Sequence, residues 1–158
     1  MNTSLLSTLG NIALLSLRKT AFVCSRRYPA SAVLRCYDWA IAQREAGECV
    51  VSGFYSPLEK DVLRYLLRGK QPVILALARG MRERLAAELR GAVEEGRLLI
   101  VTPFAASVKR VTEETALERN RRMIELAERI AVGYVAPSGQ LETLLCQTSK
   151  PIEYVFAT

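Results

Sequence analysis

Short, almost wholly apolar runs alternate along this chain with longer stretches in which apolar residues recur every three or four positions. The runs, at 20–24, 48–52, 72–77, 98–102, 129–135 and 152–156, read as strands. The longer stretches, at 28–45, 56–67, 81–95, 112–128 and 138–147, read as helices. In the first of these, Val33, Leu34, Tyr37 and Ile41 fall on one helical stripe, and Gly47 follows as a C-terminal cap. In the second, Ser56, Pro57 and Glu59 occupy N-cap, N1 and N3, the spacing of a capping box with proline at its preferred place. Gly91 is expected to interrupt or strain the third helix.

Strands alternating with crossover helices predict an α/β fold. The expectation is a Rossmann-like, mainly parallel sheet of about six strands with helices on both faces. The strands lack polar alternation, as parallel strands buried on both sides should. The reading is one domain over 1–158, its segment at about 1–17 being a short helix plus a connection. Ser7, Thr8, Gly10 and Asn11 interrupt that segment, which is too short to span a bilayer and lacks the basic start of a signal peptide.

Composition narrows the chemistry. Half of the 158 residues are hydrophobic, which suits a folded core. Lys and Arg number 22 against 16 Asp and Glu, and the balance of +6 fits either a basic solubilising surface or an anionic partner. Histidine is absent, which removes the commonest general base and metal ligand. Cys24, Cys36, Cys49 and Cys146 are widely spaced and form no CxxC pair, so they read as reduced, mostly buried thiols of a cytoplasmic protein. No catalytic residue, metal site or cofactor is assigned.

In open α/β sheets, ligands sit beyond the carboxyl ends of the strands. The segments that follow the strands hold Ser25 and Arg26, then Ser52 and Gly53, then Ser138 and Gly139. Ser138 and Gly139 fit a phosphate seat at a helix N-terminus, and equally an N-cap and a tight turn. Arg26 suits a bidentate phosphate contact, or a surface pairing with Asp38 or Glu45. Arg119, Asn120, Arg121 and Arg122 form a cluster on the helix that leads into the fifth strand; it is either part of the site or a solvated basic face. Arg119 and Arg122 share a helical face and Arg121 does not.

The blocks "LGNIALLSLRKTAFVCSRR", "VVSG", "EEGRLLIVTPF" and "ERNRRMIELAERIAVGYVAPSGQLETLL" resemble the Rossmann-like core of the DNA-processing protein A (DprA/Smf) family. The last block is similar to that family's RNR motif followed by SGxLxT, with Ser138, Gly139, Leu141 and Thr143 in the specified places. The resemblance spans roughly residues 9–147. It implies a fold of the wider SLOG superfamily, whose members bind nucleotide-derived ligands or nucleic acid. For this family it implies a basic pocket for single-stranded DNA and a part in loading a recombinase. Arg26 matches the arginine of the family's glycine-serine-arginine motif, and Arg119 and Arg121 match the arginines of RNR. Cys24 stands where that motif has glycine, and the turn after Gly53 lacks the family's second glycine and its histidine. The chain is read as leaving no room for a winged-helix tail or a helical N-terminal domain. Pocket binding is therefore expected, and recombinase loading is not.

The resulting expectation is a domain that binds single-stranded DNA or a nucleotide, without catalysis, away from membranes, and able to form a homodimer. The site set is Ser25, Arg26, Ser52, Gly53, Arg119, Arg121, Ser138 and Gly139, with Tyr28 and Phe54 as platforms for base stacking. Two alternatives stand beside it. One is a nucleotide phosphoribohydrolase of the Lonely Guy type, for which "PSGQLET" supplies Glu142. The other is a degenerate domain that serves as a partner surface.

Overall fold

A computed structural model describes residues 6–156. Seven strands form one sheet: β1 (Ser7–Gly10), β2 (Lys19–Val23), β3 (Cys49–Ser52), β4 (Val73–Ala76), β5 (Leu98–Thr102), β6 (Arg129–Val132) and β7 (Ile152–Tyr154). Their spatial order is β1-β5-β4-β3-β2-β6-β7, and every pairing is parallel except β1 with β5. The helices are α1 (Ala30–Ala46), α2 (Pro57–Leu67), α3 (Ala87–Glu94), α4 (Glu113–Leu126) and α5 (Gln140–Cys146).

The α/β class and the parallel order follow the pattern of the sequence, and so do the two covered faces. One face packs Phe22, Val50, Val73, Leu98 and Ile100 against α1, α2 and α3. The other packs Val23, Val51, Ile74, Leu99 and Val132 against α4 and α5. All residues of β2, β3, β4 and β5 are buried, as strands covered on both sides must be.

The N-terminal segment differs from the expectation. Ser7–Gly10 is an antiparallel edge strand in register with β5, Ser7 opposite Thr102 and Gly10 opposite Leu99. A 3-10 turn over Ile12–Ser16 follows it, capped by Asn11, whose carboxamide oxygen accepts from the Ala13 N–H at 3.1 Å. Gly10 holds φ at +116°, and a Cβ there would run into the Leu98 carbonyl, so only glycine lets the strand leave the edge this closely. Four residues with small polar ends gave no strand pattern, because an edge strand needs no buried alternation. Residues 1–5 of the expected helix lie outside the described residues.

Other boundaries moved for local reasons. α1 begins after Pro29, two residues later than expected. α3 begins at Ala87, because the residues before it are pinned to the loop after β5 by the Gly80 N–H, which donates to the Val108 carbonyl at 2.8 Å. Gly91 lies inside α3 without interrupting it. The capping box of Ser56 and Glu59 forms as predicted, and Gly47 closes α1 in the left-handed conformation.

The chain steps outward from β2 through β3, β4 and β5, then crosses back to place β6 on the other side of β2. The strand order therefore reverses between β2 and β6, and the loops after these two strands flank the crevice where such sheets take ligands.

Candidate nucleic-acid interface

The site is built from loops after five parallel strands, and its centre is a cation from a helix. Gly53 follows β3, and Ala76 ends β4. Arg119 reaches over both from the middle of α4. Its Nη1 donates to the Ala76 carbonyl at 3.3 Å, and its Nε donates to the Asn120 carboxamide at 2.9 Å. Its guanidinium fills the place a Cβ would take at Gly53. Arg119 is 6% exposed, yet among the described residues it has no ion-pair partner. Burial pushes its pKa down, and the Glu59 carboxylate and the Tyr55 hydroxyl act against that shift from a distance. Among the described residues the Nη2 group makes no hydrogen bond, which leaves it as a donor for an outside anion.

Ser25 joins the two sides of the crevice. Its hydroxyl accepts from the Ala136 N–H at 2.8 Å, and its own N–H donates to the Tyr134 carbonyl at 2.8 Å. The structure thus puts the loop of Arg26 and the loop of Ser138 and Gly139 on one edge of the sheet, as expected. Ser25 ties those loops together with its side-chain oxygen. Arg26 is exposed and pairs with Glu113 in the first turn of α4 at 3.2 Å, not with Asp38 or Glu45. Such an exposed pair contributes little stability and leaves the guanidinium easy to recruit.

Three residues have different places from those expected. Ser138 is not the N-cap of α5; Gly139 is, and Ser138 precedes it in the left-handed region at φ +62°. The Glu142 carboxylate accepts from the Ser138 N–H at 3.1 Å, which occupies one donor of the supposed phosphate seat. Arg121 does not join Arg119. Two positions on along a helix is more than half a turn away, so Arg121 faces out, paired with Glu118 at 3.5 Å. Phe54 is 4% exposed and belongs to the core under α2, so it offers no platform. Ser52 is fully buried, its hydroxyl accepting from the Phe54 N–H at 3.4 Å, and it shapes the turn from within.

The loops after β4 and β5 supply charge that the sequence reading passed over. The Thr102 hydroxyl donates to the Arg79 carbonyl at 2.5 Å, and the Gly80–Val108 bond joins the same two loops. Together they carry Arg79, Arg82, Arg84, Lys109 and Arg110 beyond the carboxyl ends of the strands. The last four are exposed and form no ion pair among the described residues. Two surface grooves lie elsewhere. One of about 660 Å³ separates α2 from α3 around Arg68 and Gly91, and one of about 500 Å³ separates α4 from α5 around Arg121 and Leu144.

The DNA recombination-mediator protein A family matches residues 2–153, nearly the whole sequence. The chain belongs to this family. The resemblance first drawn from the RNR and SGxLxT blocks is thus the right one. DNA processing protein A from Helicobacter pylori, whose structure is described for its single-stranded DNA binding mode, superposes with a TM-score of 0.73 at 17% identity. That match covers 94% of this chain and 70% of the other. DNA processing protein A (DprA) from Streptococcus pneumoniae superposes with a TM-score of 0.76 at 16% identity, covering 97% of this chain and 55% of its own. The chain thus spans little more than half the length of the Streptococcus protein. The molybdenum cofactor binding protein from Rippkaea orientalis shares the fold more loosely, with a TM-score of 0.58 at 10% identity over 87% of this chain and 75% of that one. No curated protein matches the sequence. The mostly parallel α/β sheet is therefore the Rossmann-like fold that these DNA processing protein A structures share. Among the described residues no helix is long and apolar enough to cross a membrane.

Proposed function

We propose that this domain binds single-stranded DNA through its phosphates at the carboxyl edge of the sheet, as a DprA-type component of DNA processing. The observation that carries the reading is Arg119 at the end of β4: a buried guanidinium with no carboxylate in ion-pair contact among the described residues, Glu59 acting only from a distance, and an Nη2 group with no hydrogen bond there. A buried cation is costly unless paired, so an anion from outside is its natural complement. A phosphate oxygen on Nη2 supplies that charge. The rim of Arg79, Arg82, Arg84, Lys109 and Arg110 then tracks the backbone of the strand, with Arg26 and Ser25 at the switch point between β2 and β6. Gly53 admits the guanidinium, Ser52 holds the turn, and Gly139 borders the site. Arg121, facing away, is left out.

A free nucleotide offers the same phosphate chemistry and is the second ligand class for this seat. The hydrolase alternative loses support, because Glu142 is engaged as a cap on Ser138. We further propose a homodimer formed through face helices, supported by Leu34, 70% exposed on α1. A cytoplasmic setting is supported by four unpaired cysteines. Binding is tested by fluorescence anisotropy of a labelled oligothymidine. Wild-type protein binds at low salt and Arg119→Ala binds more weakly; equal affinities would overturn the assignment. Sedimentation velocity tests the dimer.

A further inference from the structure

Two aromatic residues follow Gly53, and the backbone sends them in opposite directions. Phe54 turns into the core at 4% exposure, whereas Tyr55 stands 51% exposed. The separation depends on an unusual backbone. Phe54 has φ at +45°, a left-handed conformation that costs a bulky L-residue about 1–2 kcal/mol. Strain of this kind concentrates at binding sites, where the surrounding contacts enforce it. Here the enforcement is visible. The Glu59 carboxylate accepts from the Tyr55 N–H at 3.1 Å and from the Ser56 N–H at 3.0 Å, and the Ser52 hydroxyl accepts from the Phe54 N–H. The Tyr55 backbone is thereby fixed before any ligand arrives, which lowers the entropy lost on binding.

The ring has cations near it. Lys60 Nζ lies 5.8 Å from its centroid, one turn along α2. Gly53, two residues earlier, carries the Arg119 guanidinium against its Cα. An exposed tyrosine alone is unremarkable on a protein surface. An exposed ring held by a strained, hydrogen-bonded turn, with Lys60 near it and Arg119 packed on Gly53 two residues before it, offers a flat face for a base and cations for its flanking phosphates.

We propose that Tyr55 is a base-stacking platform beside the Arg119 seat, so that the site distinguishes strands with exposed bases from other polyanions. This rests on the single-stranded DNA reading above. Stacking tolerates every base, so the proposal implies preference for unpaired bases and not for a sequence. It also transfers the stacking role from Phe54, which the core has taken, to its neighbour.

The test compares wild type, Tyr55→Ala, Tyr55→Phe and Arg119→Ala on two labelled strands: oligothymidine and an abasic strand of equal length and charge. Tyr55 is exposed, so Tyr55→Ala is expected to keep the melting temperature of the wild type. It should weaken oligothymidine binding about 5- to 150-fold, leave abasic binding unchanged and leave the salt dependence as it was. Tyr55→Phe should bind both strands as wild type does. Equal losses on the two strands, or no loss on either, would overturn the platform while leaving the phosphate site standing. Failure of the wild type to bind oligothymidine at low salt would overturn the DNA-binding reading, and the platform with it.

Discussion

The guanidinium of Arg119 occupies the space that a side chain would take at Gly53. One residue supplies the cation and the other supplies its room, from elements 66 positions apart in the chain. Gly53→Ala should therefore behave as a site mutation. The new Cβ meets a group held by the Ala76 carbonyl and by Asn120, so overpacking costs about 1–3 kcal/mol. In a double-mutant cycle the cost should largely vanish on an Arg119→Ala background. Urea unfolding of the four proteins checks this; additive losses would mean that the two residues do not share the space.

Arg119→Met should separate stability from function. Removing a buried cation that has no ion-pair contact among the described residues relieves desolvation and gives up two hydrogen bonds of modest net worth. The melting temperature should be equal to or above that of the wild type, while single-strand binding is weakened. A strongly destabilised Arg119→Met protein would mark the residue as structural.

The sequence pattern carried the parallel sheet, the two covered faces and the capping box of Ser56 and Glu59, because buried strands and caps leave local signatures. β1 was illegible because an edge strand with exposed residues has none. At the site, helical spacing already put Arg121 on another face than Arg119, and it was the motif match that placed both in the site. The burial of Phe54, expected as a stacking platform, was not legible, because it depends on one positive φ. The rim of Arg79, Arg82, Arg84, Lys109 and Arg110 was missed for another reason. Segment 81–86 looks helical, but α3 begins only at Ala87, and the Thr102–Arg79 and Gly80–Val108 bonds tie the start of this loop to the loop after β5.

Lys19 is a second buried cation, and here the account predicts stability. Its Nζ donates to the carbonyls of Leu15 at 2.8 Å and Leu17 at 2.7 Å and lies 3.3 Å from Glu128. Lys19→Met leaves both carbonyls unpaired and should cost about 2–4 kcal/mol. That corresponds to a melting temperature lower by roughly 4–16 °C for a chain of this size, with DNA binding intact at 20 °C. Differential scanning calorimetry checks the shift.

Alkaline pH should destabilise the fold. Burial raises the Cys36 thiol from its ordinary 9.0 to about 11 and the Cys49 thiol to about 12. Above pH 9 the unfolded chain releases these protons and the native chain keeps them. The unfolded state therefore gains, and stability declines from about pH 9 until the native thiols titrate near pH 11–12. Each thiol adds at most about 1.4 kcal/mol per pH unit. Urea midpoints at pH 8 and pH 10.5 measure the fall, and the Cys49→Ala variant should show a shallower one.

A phosphate of single-stranded DNA seated on Arg119 is what we propose for this domain. The most direct measurement is the slope of log affinity for oligothymidine against log salt, for wild type, Arg119→Met and Arg90→Ala. Arg90 is exposed on α3, outside the site. Each phosphate contact contributes about −0.7 to the slope for single strands. The account predicts weaker binding by Arg119→Met with a slope shallower by roughly 0.7, and no change in either quantity for Arg90→Ala. Equal losses from the two substitutions would mean diffuse attraction to a basic protein and would contradict a phosphate seat at Arg119.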